Sequence, residues 1–125
     1  MDIKELLSED LDWVEVIDVD LGGGYDWDEF HAWYSPSQRV FYYASDSGCS
    51  CNSFGMFFNT VSDFQVTTDR PTLMKAITEW FDQTYNKRPS ELVEALHKIN
   101  AFDVRKASET PDPRRYKNIV LYENE

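Results

Sequence analysis

Apolar and polar positions change period twice along the chain. Residues 13–21 alternate, with Val14, Val16, Asp18 and Asp20 on one side and Trp13, Glu15, Ile17, Val19 and Leu21 on the other. β-branched and aromatic residues at period two predict a strand. Gly22, Gly23 and Gly24 end it in a turn. No GK[ST] or GxGxxG spacing accompanies these glycines, so they do not form a phosphate loop. Residues 28–34 and 39–45 read as a hairpin joined by Ser35-Pro36-Ser37-Gln38, which suits a type I turn. A four-residue loop there pairs Tyr34 with Arg39, Ala32 with Phe41 and Phe30 with Tyr43. His31, Trp33, Val40 and Tyr42 then line the other face, so both faces are aromatic and both need cover.

Residues 46–60 form a loop rich in Ser, Gly, Asn and Cys, with the apolar run Gly55-Met56-Phe57-Phe58 expected against the core. Residues 61–66 suit a short strand or an edge segment. Helical spacing then sets in. Leu73, Ile77, Trp80, Phe81 and Thr84 recur on one side of residues 69–85, with Asp69 as N-cap and Pro71 in the first turn. A second helix is expected over residues 89–100, lined by Leu92, Leu96 and Ile99, with Glu94 four residues before Lys98. The short connection between these helices predicts an antiparallel pair. Residues 2–11 suit a short helix or a frayed end, 103–113 a loop, and 117–122 a last strand or an ordered tail. The expected fold class is α+β: a small antiparallel sheet of a strand and a hairpin, with two antiparallel helices packed on it.

Composition bounds the function. The 125 residues are 42% hydrophobic and 15% aromatic, enough for one domain over residues 1–125 with a real core. The longest apolar run, Val40 to Ala44, is far short of a membrane span. The N-terminus has no secretion-signal pattern. The net charge is −11, and it is uneven. The first thirty residues hold eleven acids and one lysine, a net of −10, while residues 85–118 lean basic. Such asymmetry serves solubility or an internal match between the two ends. It also suits a surface steered toward a basic partner. Direct nucleic-acid binding is not expected, because phosphates are repelled; an acidic mimic of nucleic acid is one form of partner recognition. Asp18, Asp20, Asp26, Trp27, Asp28, Glu29 and Trp33 are the candidate partner-binding residues, with Trp13 and Tyr42 adding ring surface.

Catalytic motifs are lacking: there is no HExxH, Walker or EF-hand pattern and no nucleophile elbow. Asp26, Asp28 and Glu29 lie close enough in sequence to suggest a magnesium site, although so acidic a segment brings carboxylates together by chance. Two thiols lie in Gly48-Cys49-Ser50-Cys51. They read as two small reduced thiols in a tight loop, as a labile disulfide, or as half of a zinc site completed by His31 and His97. Standard zinc pairs are separated by two to four residues, unlike this one.

The segment Gly24-Tyr25-Asp26-Trp27-Asp28 through Trp33, followed by Val40 to Ala44 and Ser45-Asp46-Ser47-Gly48-Cys49-Ser50-Cys51, resembles a family of small uncharacterised proteins encoded by phages of actinobacteria. In that family an aromatic hairpin leads into an Asp-Ser-Gly-Cys-Ser-Cys string, then a proline and a phenylalanine. Here Asn52 and Ser53 stand where proline is usual, and Phe54 is kept. The resemblance covers about residues 12–85, and residues 110–125 form a C-terminal extension. It implies a phage-encoded protein in the cytoplasm of an infected bacterium and supplies no activity. The Asp46–Gly48 string reads as a rigid turn, with the Asp46 carboxylate bonded to the backbone two residues on and Gly48 at positive φ. The expectation that joins these observations is a non-enzymatic accessory protein that binds a host protein and inhibits or redirects it. A metal-binding or redox domain built on Cys49 and Cys51 is the alternative, and a small divalent-ion enzyme is a third.

Overall fold

A computed structural model describes Leu7 and residues 9–108. Four strands form one antiparallel sheet in the order β1-β2-β3-β4. They are β1 (Val14–Asp20), β2 (Asp26–Ser35), β3 (Val40–Cys49) and β4 (Gln65–Thr67), with a 3-10 turn (Val61–Asp63) before β4. Helices α1 (Arg70–Gln83), α2 (Pro89–Ala101) and the short α3 (Val104–Ser108) complete the fold. This is the expected α+β class. Within the loop expected over 103–113, residues 104–108 form helix α3, where Asp103 Oδ1 accepts the Lys106 N–H at 3.0 Å and Ala107 enters the core; residues 109–113 lie outside the described ones. Among the described residues no helix is long and apolar enough to cross a membrane. The segments 117–122 and most of 2–11 lie outside the described residues.

The sheet separates two cores. The helices cover the face that carries Val14, Ile17, Val19, Phe30, Ala32, Tyr34 and Phe41; Leu73, Ile77, Phe81, Ala95 and Ile99 meet it. The opposite face carries Trp13, Trp33, Tyr42 and Ala44, covered by Phe54, Phe64 and Leu7. The sequence alternation places Val14 with Asp18, yet Val14 lies with Ile17 and Val19. A β-bulge between Glu15 and Ile17 explains this: the pairing steps from Glu15↔Trp33 to Ile17↔Ala32, so Val16 is extra and the alternation changes phase. Both Val16 and Ile17 are thereby buried.

The hairpin keeps its expected faces but slides by two residues, to Tyr34↔Phe41 and Ala32↔Tyr43. Asp12 holds the shifted register. Its carboxylate accepts from Ser35 Oγ at 2.7 Å and from Ser37 N–H at 2.8 Å, which keeps Ser35 in the strand. Residues 36–39 then turn the chain, closed by Arg39 N–H to Ser35 C=O at 2.7 Å, with Arg39 at φ 58°. Helix α1 begins as expected: the Asp69 carboxylate accepts the Thr72 N–H at 2.7 Å. Arg70 crosses to α2, donating to Ile99 C=O at 2.6 Å.

Candidate functional site

The strand registers decide which acids meet. Asp20, Glu29 and Asp46 lie in one row across β1, β2 and β3, and Asp18 lies opposite His31 in the next row. All are on the loop-covered face. Asp26 and Asp28 alternate to the helix side, where Asp28 Oδ1 accepts Trp80 Nε1–H at 3.0 Å. Asp28 and Glu29 are therefore on opposite faces, and the suggested Asp26–Asp28–Glu29 magnesium site does not assemble. Asp18, Asp20, Asp26, Asp28 and Glu29 thus lie on both sides of the sheet toward the β1–β2 tip, whereas Asp12 lies at the other end of the sheet, on Ser35 and Ser37.

Several of these carboxylates also have structural work. Asp20 Oδ1 accepts the N–H groups of Gly22 (2.8 Å) and Asp28 (3.2 Å), shaping the turn. Gly24 takes φ 81°, and a Cβ on Gly22 would strike the Asp26 carbonyl and Trp27 Cα, so the tip needs glycine at both. The ring expectations need correction. Trp33 is 4% exposed, and Trp13 and Tyr42 are equally enclosed, stacked on each other at 4.2 Å. They are core, because both sheet faces are covered. Trp27 is half-buried, and its Nε1–H is shared by the carbonyls of Cys49 (2.8 Å) and Asn52 (3.0 Å). Among the described residues the rings that face solvent are Tyr25, Phe57 and Tyr85, the two tyrosines at 85% and 96% exposure. A cleft of about 330 Å³ is lined by Asp26, Trp27, Asp28, Ser47, Tyr85 and Asn86, among others, and Tyr25 precedes Asp26 in the chain. Lys87 and Arg88 flank it but bond backbone carbonyls, of Thr84 and Asp20.

The cysteine segment differs from its expected form. β3 runs on to Cys49, so Asp46 and Gly48 are strand residues, and the turn follows them. Gly48 is not at positive φ. A Cβ there would strike the Asn52 side chain and the Trp27 ring, so close approach explains the glycine. Asp46 accepts from Ser47 N–H at 3.0 Å and from Gly55 N–H at 3.1 Å, tying the loop back to the sheet. Cys49 and Cys51 form a disulfide, with Cα atoms 5.4 Å apart. The set of Cys49, Cys51, His31 and His97 is not brought together. The cysteines bond each other, His97 is exposed on α2, and His31 lies five residues along β2 from the Cys49 partner Asp26. That is about 17 Å of strand. Of the run expected against the core, Gly55 is buried and Phe58 packs on the loop-side cluster with Phe54, whereas Met56 and Phe57 are exposed.

Sequence periodicity missed one cluster. Asp18, Glu29 and His31 place three ligand-type atoms within 4.8 Å of one another. His31 Nε2 is 2.7 Å from Glu29 Oε1, and Nδ1 is 3.5 Å from Asp18 Oδ1. The Glu29-x-His31 spacing was a visible signal, since strand residues two apart share a face. Asp18 could be added only with the β1–β2 register in hand.

The architecture defines a small α+β protein with a helix-covered and a loop-covered sheet face and an acidic, tyrosine-flanked tip. The chain belongs to the DUF7574 family, a domain of unknown function, whose model matches residues 7–106. No curated protein and no solved structure matches the chain significantly. The family match runs beyond the segment that carries the phage-protein resemblance, through α2 and into α3.

Proposed function

We propose that this protein is a non-enzymatic binding module whose β1–β2 tip engages a basic segment of another protein. The observation that carries this reading is the cleft of about 330 Å³ with Asp26 and Asp28 in its wall and the exposed Tyr85 at its edge, beside the exposed Tyr25. A lysine or arginine side chain fits such a site: carboxylates neutralise its charge, and a tyrosine face attracts its cation. Tyrosine also dominates the energetics of many interfaces, because it adds large contact area with few rotatable bonds. The net −10 of the first thirty residues extends the attraction beyond the cleft and favours fast encounter. The resemblance to actinobacteriophage proteins supplies the setting. In it the partner is a host protein in the bacterial cytoplasm, inhibited or redirected by occupation of its basic surface. Nucleic-acid mimicry is the special case in which that surface is a DNA groove.

The test is capture from actinobacterial lysate by immobilised protein, with a variant carrying Tyr25→Ala, Asp26→Asn and Tyr85→Ala run in parallel. These side chains are exposed, so the variant retains the fold. The reading predicts one stoichiometric protein held by the wild type and lost by the variant; elution by added DNA identifies the mimicry form. Equal retention by the variant contradicts the tip as the binding surface.

A further inference from the structure

His31 is 4% exposed and lies in the middle of β2, with the Phe54 ring 4.0 Å from its own and Trp33 stacked at 5.7 Å. Its two nitrogens face two carboxylates. A carboxylate can only accept a hydrogen bond, so the 2.7 Å contact with Glu29 Oε1 places the proton on Nε2. In the neutral ring Nδ1 then carries a lone pair. Nδ1 is buried and has no hydrogen-bond partner, and the atom it faces, Asp18 Oδ1 at 3.5 Å, is also an acceptor. With the ring neutral, two lone pairs face each other, one on a buried nitrogen and one on a half-exposed carboxylate, an arrangement that costs free energy unless something electropositive lies between them.

We propose that Asp18 and His31 bind a divalent transition-metal ion, zinc being the natural probe, with His31 ligating through Nδ1 and Asp18 through a carboxylate oxygen. The spacing fits. Zinc takes His nitrogen and carboxylate oxygen each at about 2.0–2.2 Å, so two ligands at a tetrahedral angle lie about 3.4 Å apart. Asp18 Oδ1 and His31 Nδ1 are 3.5 Å apart. An imidazolium bonded to the same carboxylate would close to about 2.7–2.9 Å, and the Asp18 side chain, half exposed, is free to move in that far. Glu29 completes the arrangement. By accepting from Nε2–H it fixes the tautomer that aims the Nδ1 lone pair at the metal, as outer carboxylates do for metal-bound histidines.

The donor chemistry sets the class of ion. Imidazole with carboxylate suits zinc, iron, nickel or copper rather than magnesium or calcium, which take oxygen ligands. Two protein donors leave positions for water on the Asp18 side, so the site exchanges its ion instead of holding it as a closed structural centre. It uses neither cysteine, nor His97, nor the tip residues Tyr25, Asp26 and Tyr85; its success or failure is separate from that of the partner reading.

The experiment is a zinc titration of the full chain with the disulfide intact, followed by calorimetry and by the ¹⁵N resonances of the histidine rings. The proposal predicts one equivalent bound, with His31 Nδ1 moving to a metal-bound shift while His97 stays in place. Asp18→Asn, at an exposed position, weakens binding at least tenfold with the fold intact by its spectrum. Glu29→Gln weakens it by about 10–100-fold. His97→Gln and the Cys49→Ser, Cys51→Ser double variant bind as the wild type does, and excess magnesium does not compete. Zinc that leaves the His31 ring resonances unmoved, or binds Asp18→Asn undiminished, overturns the proposal.

Discussion

The two faces of the sheet are covered by different material, and they divide the work accordingly. On the helix side, branched aliphatic residues from β1 meet Leu73, Ile77 and Ile99, all fully enclosed, and Phe30, Tyr34, Phe41, Phe81 and Phe102 pack around them. Regular helices supply a repeating apolar stripe, and small branched side chains fill the space beneath it at high density. On the loop side the cover is irregular, and the core is built of rings: Trp13 against Tyr42, Trp33 against Phe64, and Phe54 beside His31. A loop has no periodic stripe to offer, so a few large rings must each enclose much area. Chemistry follows the same division. The buried imidazole and its two carboxylates are on the loop side, where the cover leaves Asp18 open. The helix side holds aliphatic and phenyl bulk, with Asp26 and Asp28 at its margin and Asp28 bonded to Trp80.

Truncation should break the two sides differently. Trp13→Ala removes the ring at the centre of the loop-side stack and should cost about 4 kcal/mol, enough to unfold a marginal domain. Ile77→Ala on the helix side should cost about 3 kcal/mol and lower the midpoint of a single cooperative transition. Chemical denaturation of each variant checks both. Phe54→Ala should have a smaller and more local effect. Exchange of the Gly55 and Phe58 amides, which bond Asp46 and Gly55, should accelerate while the α1 amides keep their protection. Uniform acceleration would show that the loop-side core is not a separate unit.

Acid sharpens the comparison further. Asp69, which caps α1, titrates below its ordinary value of 3.8, chiefly because its carboxylate accepts the Thr72 N–H, and secondly the Thr72 side chain. Asp63, before β4, is lowered by the N–H groups of Asn59 and Thr60. A carboxyl lowered on folding contributes stability that is complete above its unfolded value and lost as the pH falls through the folded one. Stability should therefore decline below about pH 4, and Asp69→Asn should flatten that decline at the start of α1 in pH-dependent amide exchange. The smallest effect on stability is expected from Tyr25→Ala, within about 0.5 kcal/mol. This substitution should nevertheless weaken partner association, which separates the binding tip from both cores.

How much of this was legible in the sequence depended on how local each signal is. Helix α1 was, since Asp69, Pro71 and the Leu73–Ile77–Phe81 stripe are read within one segment. The faces of the hairpin were legible because an even slip preserves them. The slip itself was not, because it depends on Asp12, more than twenty residues away, holding Ser35 and Ser37. The bulge at Val16 was hidden for the same kind of reason: nothing in a run of valines and isoleucine marks which residue is extra until the partner strand is known. The Asp18–His31 pair depended on that register. Trp33 reads as a binding ring in the sequence because a ring-rich hairpin composition describes an interface and a covered core equally well. Tyr25 lies in the glycine turn, and Tyr85 ends the 69–85 segment off its apolar side and past the helix end at Gln83, so no hydrophobic pattern points to them.

The central claim is that an acidic, tyrosine-flanked tip steers and holds a basic protein. The most direct measurement is the association rate with the captured partner as ionic strength rises from about 0.01 M to about 0.15 M, where the screening length shrinks from about 30 Å to about 8 Å. The account predicts a steep fall for the wild type and a visibly flatter dependence for Asp26→Asn, with dissociation accelerated by Tyr85→Ala. An association rate indifferent to salt, or a salt dependence identical in Asp26→Asn, would contradict it.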